Sequence, residues 1–251
     1  MPVSPLPEPR PGAYEIKFLV EDARADALLA SARELLAADP HAEPGRGDGY
    51  RIHSLYFDTP DLAVYRRVGA HARRKLRLRR YGAEPLIYTE RKAKFRGIVT
   101  KRRSAIVPEE LDWLVDGRQR PGWPAHWFRR RLDLRGLAPK VSVVYDRIAR
   151  VGMTPEGPIR FTVDRNVRCL ATDDIGFPLA TEGLQVLDGR SIVEFKYRVA
   201  MPAVFKGLIR ELGLEPMGVS KYRHSVLLCG LHERLTREPA ESNAAARLRT
   251  A

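Results

Sequence analysis

Cysteine is nearly missing from this chain of 251 residues. The two present, Cys169 and Cys229, are too few for a disulfide framework or a zinc site, and they fit buried thiols in a reducing compartment. No apolar run approaches the ~20 residues that span a bilayer. The N-terminal Met1-Pro2-Val3-Ser4-Pro5 has no signal-peptide core. Both absences predict a soluble, cytoplasmic protein. There is no self-similarity at solenoid periods and no aromatic signature of RNA recognition, which weighs against a nucleic-acid partner. Acidic residues are also in short supply: 44 Lys and Arg stand against 31 Asp and Glu, a net charge of +13. The imbalance is local, since thirteen Lys/Arg and only two Glu lie between Arg73 and Arg103. A charge of that sign concentrates polyanions.

What is present is organised around Arg73-Arg74-Lys75-Leu76-Arg77-Leu78-Arg79-Arg80-Tyr81. As a strand it points Lys75, Arg77 and Arg79 one way and Leu76 and Leu78 the other. The leucines can be buried. The cations cannot be buried dry and must meet water, carboxylates or an anionic ligand.

Other segments repeat the arrangement. A Pro-rich lead, 1–12, is expected to be disordered. Tyr14–Val20 reads as a strand with Glu15 and Lys17 on one face. Residues 22–38 read as an amphipathic helix ended by Asp39-Pro40. Tyr50–Phe57 is a second strand, followed by a helical turn to Arg67. Ala72–Tyr81, Leu86–Lys94 and Ile98–Val107 form a meander through hairpin-like connections. Residues 108–136, with Trp113, Trp123, Trp127 and Arg129-Arg130-Arg131, read as a helical insertion packed onto the domain. Lys140–Arg150, Ile159–Leu170 and Ser191–Arg198 are further strands, with a loop at 171–189. Pro202–Leu212 and Ser220–Arg234 read as helices, the latter N-capped by Ser220. A tail at 236–251 is expected to be disordered, leaving one domain over 13–235.

Eight strands thus carry a polar row and an apolar row. The polar rows hold Lys17, Arg77, Arg79, Lys92, Lys101, Arg147, Arg160 and Lys196, with Glu15, Glu90, Asp164 and Glu194 among them. The expected architecture is α+β: a closed antiparallel eight-stranded β-barrel tunnel with a polar, cationic, hydrated lumen, its apolar outer faces covered by helices. Such a lumen suits a linear polyanion, and its few carboxylates suit a divalent metal.

In order along the chain, Tyr14-Glu15-Ile16-Lys17, Ser54-Leu55-Tyr56-Phe57-Asp58-Thr59-Pro60, Lys75-Leu76-Arg77-Leu78-Arg79-Arg80-Tyr81-Gly82, Glu90-Arg91-Lys92, Val144-Tyr145-Asp146-Arg147, Ile159-Arg160-Phe161-Thr162-Val163-Asp164, Val193-Glu194-Phe195-Lys196-Tyr197 and Ser220-Lys221-Tyr222 resemble VTC domains. These are the polyphosphate polymerase domains of the vacuolar transporter chaperone family, within the CYTH-like triphosphate tunnel metalloenzyme superfamily. The resemblance covers roughly 13–232.

The resemblance implies a tunnel that binds triphosphate with Mg²⁺ or Mn²⁺ and moves the γ-phosphate of ATP onto a growing polyphosphate chain. By match to the family's motifs, Lys17, Arg77, Arg79, Lys92, Lys101, Arg147 and Arg160 would bind phosphate, assisted by Tyr145. Arg67 matches a further phosphate ligand, Ser220 and Lys221 would contact phosphate near the tunnel mouth, and Glu194 would hold the metal. The wider superfamily often opens with a Glu-x-Glu-x-Lys strand, whose first position here is Ala13. That departure weighs against two-metal hydrolase chemistry and is compatible with a one-metal polymerase. No transmembrane or SPX-like segment is fused to the domain, so a membrane partner is expected to be a separate chain. A triphosphate hydrolase of the same fold and a non-catalytic polyphosphate-binding module are the alternative functions.

Overall fold

The computed structural model describes residues 12–43, 45–178 and 183–233. The expected tail, and all of the expected lead except Gly12, lie outside these residues. Ten strands form in chain order: β1 (Ala13–Glu21), β2 (Ala37–Ala38), β3 (Gly49–Asp58), β4 (Arg74–Tyr81), β5 (Ile87–Phe95), β6 (Ile98–Ile106), β7 (Ala138–Thr154), β8 (Gly157–Ala171), β9 (Leu184–Gln185) and β10 (Arg190–Tyr197). The α-helices are α1 (Asp22–Leu35), α2 (Ala63–Arg66), α3 (His126–Arg135), α4 (Ala203–Glu211) and α5 (Lys221–Leu228).

The eight long strands close into an antiparallel ring in the order β7-β3-β4-β5-β6-β1-β10-β8, with β8 returning to β7. The two-residue strands β2 and β9 attach to β7 and β8. The ring is shortest-seamed between β1 and β6, where only Ala13↔Val99 and Tyr14↔Ile98 pair.

Because side chains alternate, each strand gives one row to the interior and one to the helices. Outward-facing Phe18 and Val20 of β1, Phe161 and Val163 of β8, and Val193 and Phe195 of β10 pack with Leu28, Leu29 and Ala32 of α1 and with Phe205 and Leu208 of α4. Phe195 stacks on Phe205 with ring centroids 4.5 Å apart. Burying each such ring stabilises the fold by about 1.5–3 kcal/mol. On the other side Leu55, Phe57, Leu76 and Leu78 pack with Phe128 and Leu132 of α3 and with Leu114. Within residues 108–136 Trp113 meets Trp123 edge-on and Trp127 meets Phe128, while Phe128 meets Phe57 of β3. The first part of this segment is a 3-10 helix, Pro108–Leu114.

Several boundaries differ from expectation. Helix α1 stops at Leu35 rather than 38, and Ala37–Ala38 pairs with β7. The Arg150 guanidinium donates to the carbonyls of Leu36 and Arg33, satisfying the helix end from outside. Strand β4 begins at Arg74, after a 3-10 turn at Gly69–His71. Helix α5 ends at Leu228 rather than Arg234, with Gly230 just beyond it at φ +64°, a left-handed conformation that suits glycine. The expected loop at 171–189 contains β9, and its residues 179–182 lie outside the described residues.

The interior also differs from a uniformly polar lumen. Val143 lies opposite Cys169, and Ile192 opposite Asp164, on inward faces. These apolar groups share a core with Tyr222 and Val226 of α5. Unlike the other helices, α5 reaches into one end of the ring and makes that end apolar.

Candidate anion-binding site

The polar part of the interior is built around buried carboxylates, each surrounded by cations. Glu90 on β5 is fully buried. Its Oε2 accepts from Arg77 Nη2 at 2.6 Å, and its Oε1 accepts from Arg103 Nη2 at 2.6 Å and Lys101 Nζ at 3.4 Å. Arg79 Nη1 lies 4.0 Å away. Burial alone raises the Glu90 pKa, but Arg77, Arg79, Lys101 and Arg103 outweigh it and hold the carboxyl well below its usual range. Register places these groups together: Arg77 pairs with Glu90, and Glu90 with Arg103, across β4, β5 and β6.

Asp164 on β8 is the second centre. Arg147 on β7 grips it with two hydrogen bonds of 2.5 and 2.7 Å, and Lys221 of α5 donates to the same carboxylate. The third centre joins Glu194 and Glu15. Lys17 lies 3.4 Å from Glu194 Oε2, Lys196 lies 3.4 Å from Oε1, and Lys92 donates to Glu15 at 2.5 Å. Arg160 donates to the Tyr50 hydroxyl at 2.7 Å and lies 2.6 Å from Asp39.

The remaining expected residues join the same space. Arg79 donates to Ser54 Oγ and to the Tyr145 hydroxyl, both at 3.1 Å. Ser220 caps α5 by accepting from the Arg223 N–H, and its Oγ also takes a 2.7 Å hydrogen bond from Lys75. Arg67 follows α2 in a left-handed conformation, φ +60°, close enough to Lys75 to help lower its pKa. Asp58 holds that segment, accepting from the backbone N–H of Thr59, Val64 and Tyr65 and from the Tyr222 hydroxyl. Eleven of the twelve residues expected from sequence thus face one interior, while Arg67 is exposed and lies beside it.

Several further groups line the same interior. Lys75 and Arg103 share strand faces with Arg77 and Lys101, and that parity is a signal sufficient to include them. Tyr56 stacks near Tyr222 and receives a 3.3 Å hydrogen bond from Arg77. Burial would raise its pKa, yet Arg77, Arg79, Lys221 and Lys75 together lower it, whereas burial pushes the Tyr145 phenol up. Asp39, beyond the end of α1, carried no sequence signal at all.

Across these elements eleven Lys and Arg (17, 75, 77, 79, 92, 101, 103, 147, 160, 196 and 221) meet six carboxylates (15, 39, 58, 90, 164 and 194), a formal excess of five positive charges. The consequence is visible in the lysines. Burial and neighbouring cations lower Lys92 to about 7, and Lys75, Lys101 and Lys221 to about 8. An interior so charged favours a ligand with several negative charges. A cavity of about 610 Å³ opens beside it, lined by Lys101, Arg160 and Lys196 and by apolar Val151, Met153 and Ile159.

Among the described residues no three His, Cys, Asp or Glu side chains form a metal cage. The donors instead fit a hard divalent ion held by one protein carboxylate plus phosphate oxygens and water. Glu194 Oε1 is buried and accepts no hydrogen bond, its charged neighbour being Lys196 at 3.4 Å, so an ion there would displace that lysine.

A model of the VTC domain family matches residues 12–229. The chain belongs to the VTC domain family. No curated protein matches this VTC domain in sequence. Among solved structures, a candidate adenylate cyclase from Bacillus halodurans is similar in fold, with a TM-score of 0.52 at 13% identity, over 84% of this chain and 94% of that one. A Hippeastrum protein, described as a candidate adenylyl cyclase with a dominant triphosphatase activity, is 18% identical over 87% of this chain and 96% of that one, with a TM-score of 0.48. A Pyrococcus horikoshii protein is 16% identical over 86% and 98%, with a TM-score of 0.45. No helix among the described residues of the VTC domain is long and apolar enough to cross a membrane.

Proposed function

We propose that this VTC domain is a polyphosphate polymerase, transferring the γ-phosphoryl group of ATP to the end of a polyphosphate chain inside the strand ring. The observation that carries this reading is the excess of cations over carboxylates in the interior, with Glu90 and Asp164 already saturated by Arg and Lys. Phosphoryl transfer needs positioning and charge neutralisation more than covalent chemistry from the protein. Arg77, Arg79, Arg147, Arg160, Lys17, Lys92 and Lys101 supply the neutralisation, and the carboxylates hold them in place before substrate arrives. Tyr145 assists by fixing Arg79. Arg67, Ser220, Lys221 and Lys75 hold the chain near α5.

The bond broken joins the γ-phosphorus to the bridging oxygen of ATP, which leaves as ADP. The bond formed joins that phosphorus to a terminal oxygen of the chain. That oxygen is already an anion, so no protein base is required. Glu194 would hold Mg²⁺ or Mn²⁺, which supplies further charge neutralisation to the leaving diphosphate. The half-apolar cavity beside Lys101 and Arg160 has room for the nucleoside, which favours ATP over inorganic triphosphate as donor.

The test is incubation with ATP and Mn²⁺ followed by sizing of the products. Long polyphosphate supports the reading. Orthophosphate as the only new phosphate species would make the protein a triphosphate hydrolase, and tight binding without turnover would make it a binding module.

A further inference from the structure

The interior does not account for all the positive charge. A second group of arginines lies on the outer face of the same wall. Arg74, Arg91 and Arg102 occupy outward positions of β4, β5 and β6, and Arg91 and Arg102 are direct partners in the β5–β6 register. Like charges directly opposite on a sheet face destabilise it. Helix α3 adds Arg131, whose pKa is lowered first by burial and then by Arg135, Arg74 and Arg102; Arg91 is lowered likewise by burial and by Arg131, Arg74 and Arg102.

Inside the ring, cations are held by carboxylates. Outside, among the described residues, none of these four arginines has an ion pair, and Arg91 Nε is buried without any hydrogen-bond partner. The nearest acid on α3, Asp133, is taken by Arg129 at 3.1 Å. Unpaired guanidiniums gathered without a counter-charge mark a place for an external anion.

The aromatic groups nearby say which anion. The Arg102 guanidinium lies 4.4 Å above the Trp127 ring, whose Nε1 donates to Ser104. Arg73 and Arg96 lie over the ring of Phe95, which is 59% exposed, at 5.3 and 5.4 Å. These rings hold arginines in position. Trp127 is partly buried under Arg102, and the exposed Phe95 carries a guanidinium over its ring, so the face presents charge first, unlike the open aromatic surfaces that enter lipid or stack on bases. What remains is a row of forked donors, suited to a flexible chain of phosphoryl groups.

We propose that the outer face of β4–β6 with α3 is a second binding surface for inorganic polyphosphate, which holds the part of a long chain lying outside the ring; the choice of ligand rests on the function proposed above. A chain bound at both places gains from effective concentration, so long polyphosphate should bind about 10²-fold or more tighter than tripolyphosphate.

The test measures equilibrium binding of tripolyphosphate and of long-chain polyphosphate, without ATP, to the wild type and to the triple variant Arg91→Gln, Arg102→Gln, Arg131→Gln. The variant should fold with an unchanged or higher Tm, since it removes repulsion. It should bind tripolyphosphate as wild type does and lose ten-fold or more in affinity for the long chain. Unchanged long-chain binding overturns the inference, as does a parallel loss for tripolyphosphate, which would place the effect in the interior. Phosphatidylserine vesicles and duplex DNA form two further arms. If the variant loses either of those ligands and keeps polyphosphate, the surface serves the other partner and the inference fails. Wild type that binds no tripolyphosphate would refute the proposed function, while the long-chain comparison would still decide this surface.

Discussion

Glu90 gives the sharpest test of how the interior is held together. The substitution Glu90→Gln keeps the shape of a fully buried side chain and removes its charge. Four cations then lose their counter-ion: Arg77 and Arg103 at 2.6 Å, Lys101 at 3.4 Å and Arg79 at 4.0 Å. Breaking a buried ion pair from one side costs about 3–5 kcal/mol. At about 2–4 °C per kcal/mol for a chain of this size, Tm should fall on the order of 6–20 °C. A polyanion should reverse the loss. Tripolyphosphate at a hundred times the wild-type Kd stabilises wild type by about 2.7 kcal/mol, and at that same concentration the variant should gain more because its freed arginines bind it more tightly. The assay is a thermal melt with and without tripolyphosphate. A variant that melts with wild type, or whose Tm rises no further with tripolyphosphate than wild type's, refutes the idea that Glu90 stands in for substrate charge.

Arg77→Ala leaves Glu90 with Arg79, Lys101 and Arg103, so it should keep a cooperative melt and lose most activity; unfolding would make Arg77 structural. Glu194→Gln should abolish Mn²⁺-dependent turnover while metal-free triphosphate binding stays near wild type or tightens, and normal turnover in the variant would remove Glu194 from the mechanism. Ser220→Ala removes the N-cap of α5 and the partner of Lys75; it should cost about 1 kcal/mol and weaken triphosphate binding, and calorimetry would show either loss missing. The pH dependence follows from the lysines, whose folded-state pKa values of about 7 for Lys92 and about 8 for Lys75 and Lys221 lie below the ordinary 10.5. Above those values the unfolded chain binds more protons than the folded one, so ligand-free stability should rise from pH about 7 to about 9. Triphosphate affinity should fall over the same window, and a flat profile in both measurements would contradict the assignment of these lysines to the interior.

Much of this was legible in the sequence because strand parity is a strong constraint. Alternation in Lys75–Arg79, Tyr88–Lys92 and Glu194–Lys196 fixed which groups share a face, and closure of the ring then brought those faces together. The pairing of charges was not legible. Whether Arg77 meets Glu90 or Glu15 depends on register between strands, which sequence spacing does not set. The position of α5 was hidden for a similar reason. Its apolar residues suit an outer face as well as an inner one, and its place inside comes from tertiary partners: the apolar Val143, Cys169 and Ile192, and the hydrogen bonds of Ser220, Lys221 and Tyr222. The early end of α1 depended on Arg150, more than a hundred residues away. Asp39 likewise acquires its role only through its tertiary partner Arg160.

Under the proposed function the interior of the ring binds a chain of phosphoryl groups with a divalent ion at Glu194. A crystal structure with tripolyphosphate and Mn²⁺ tests it most directly. Phosphate oxygens should lie within hydrogen-bond reach of Lys17, Arg77, Arg79, Lys92, Arg147 and Arg160, with anomalous density for Mn²⁺ beside Glu194 Oε1. Tripolyphosphate bound only outside the ring, with Lys17 and Lys196 still closed on Glu194 and no ion there, would contradict it.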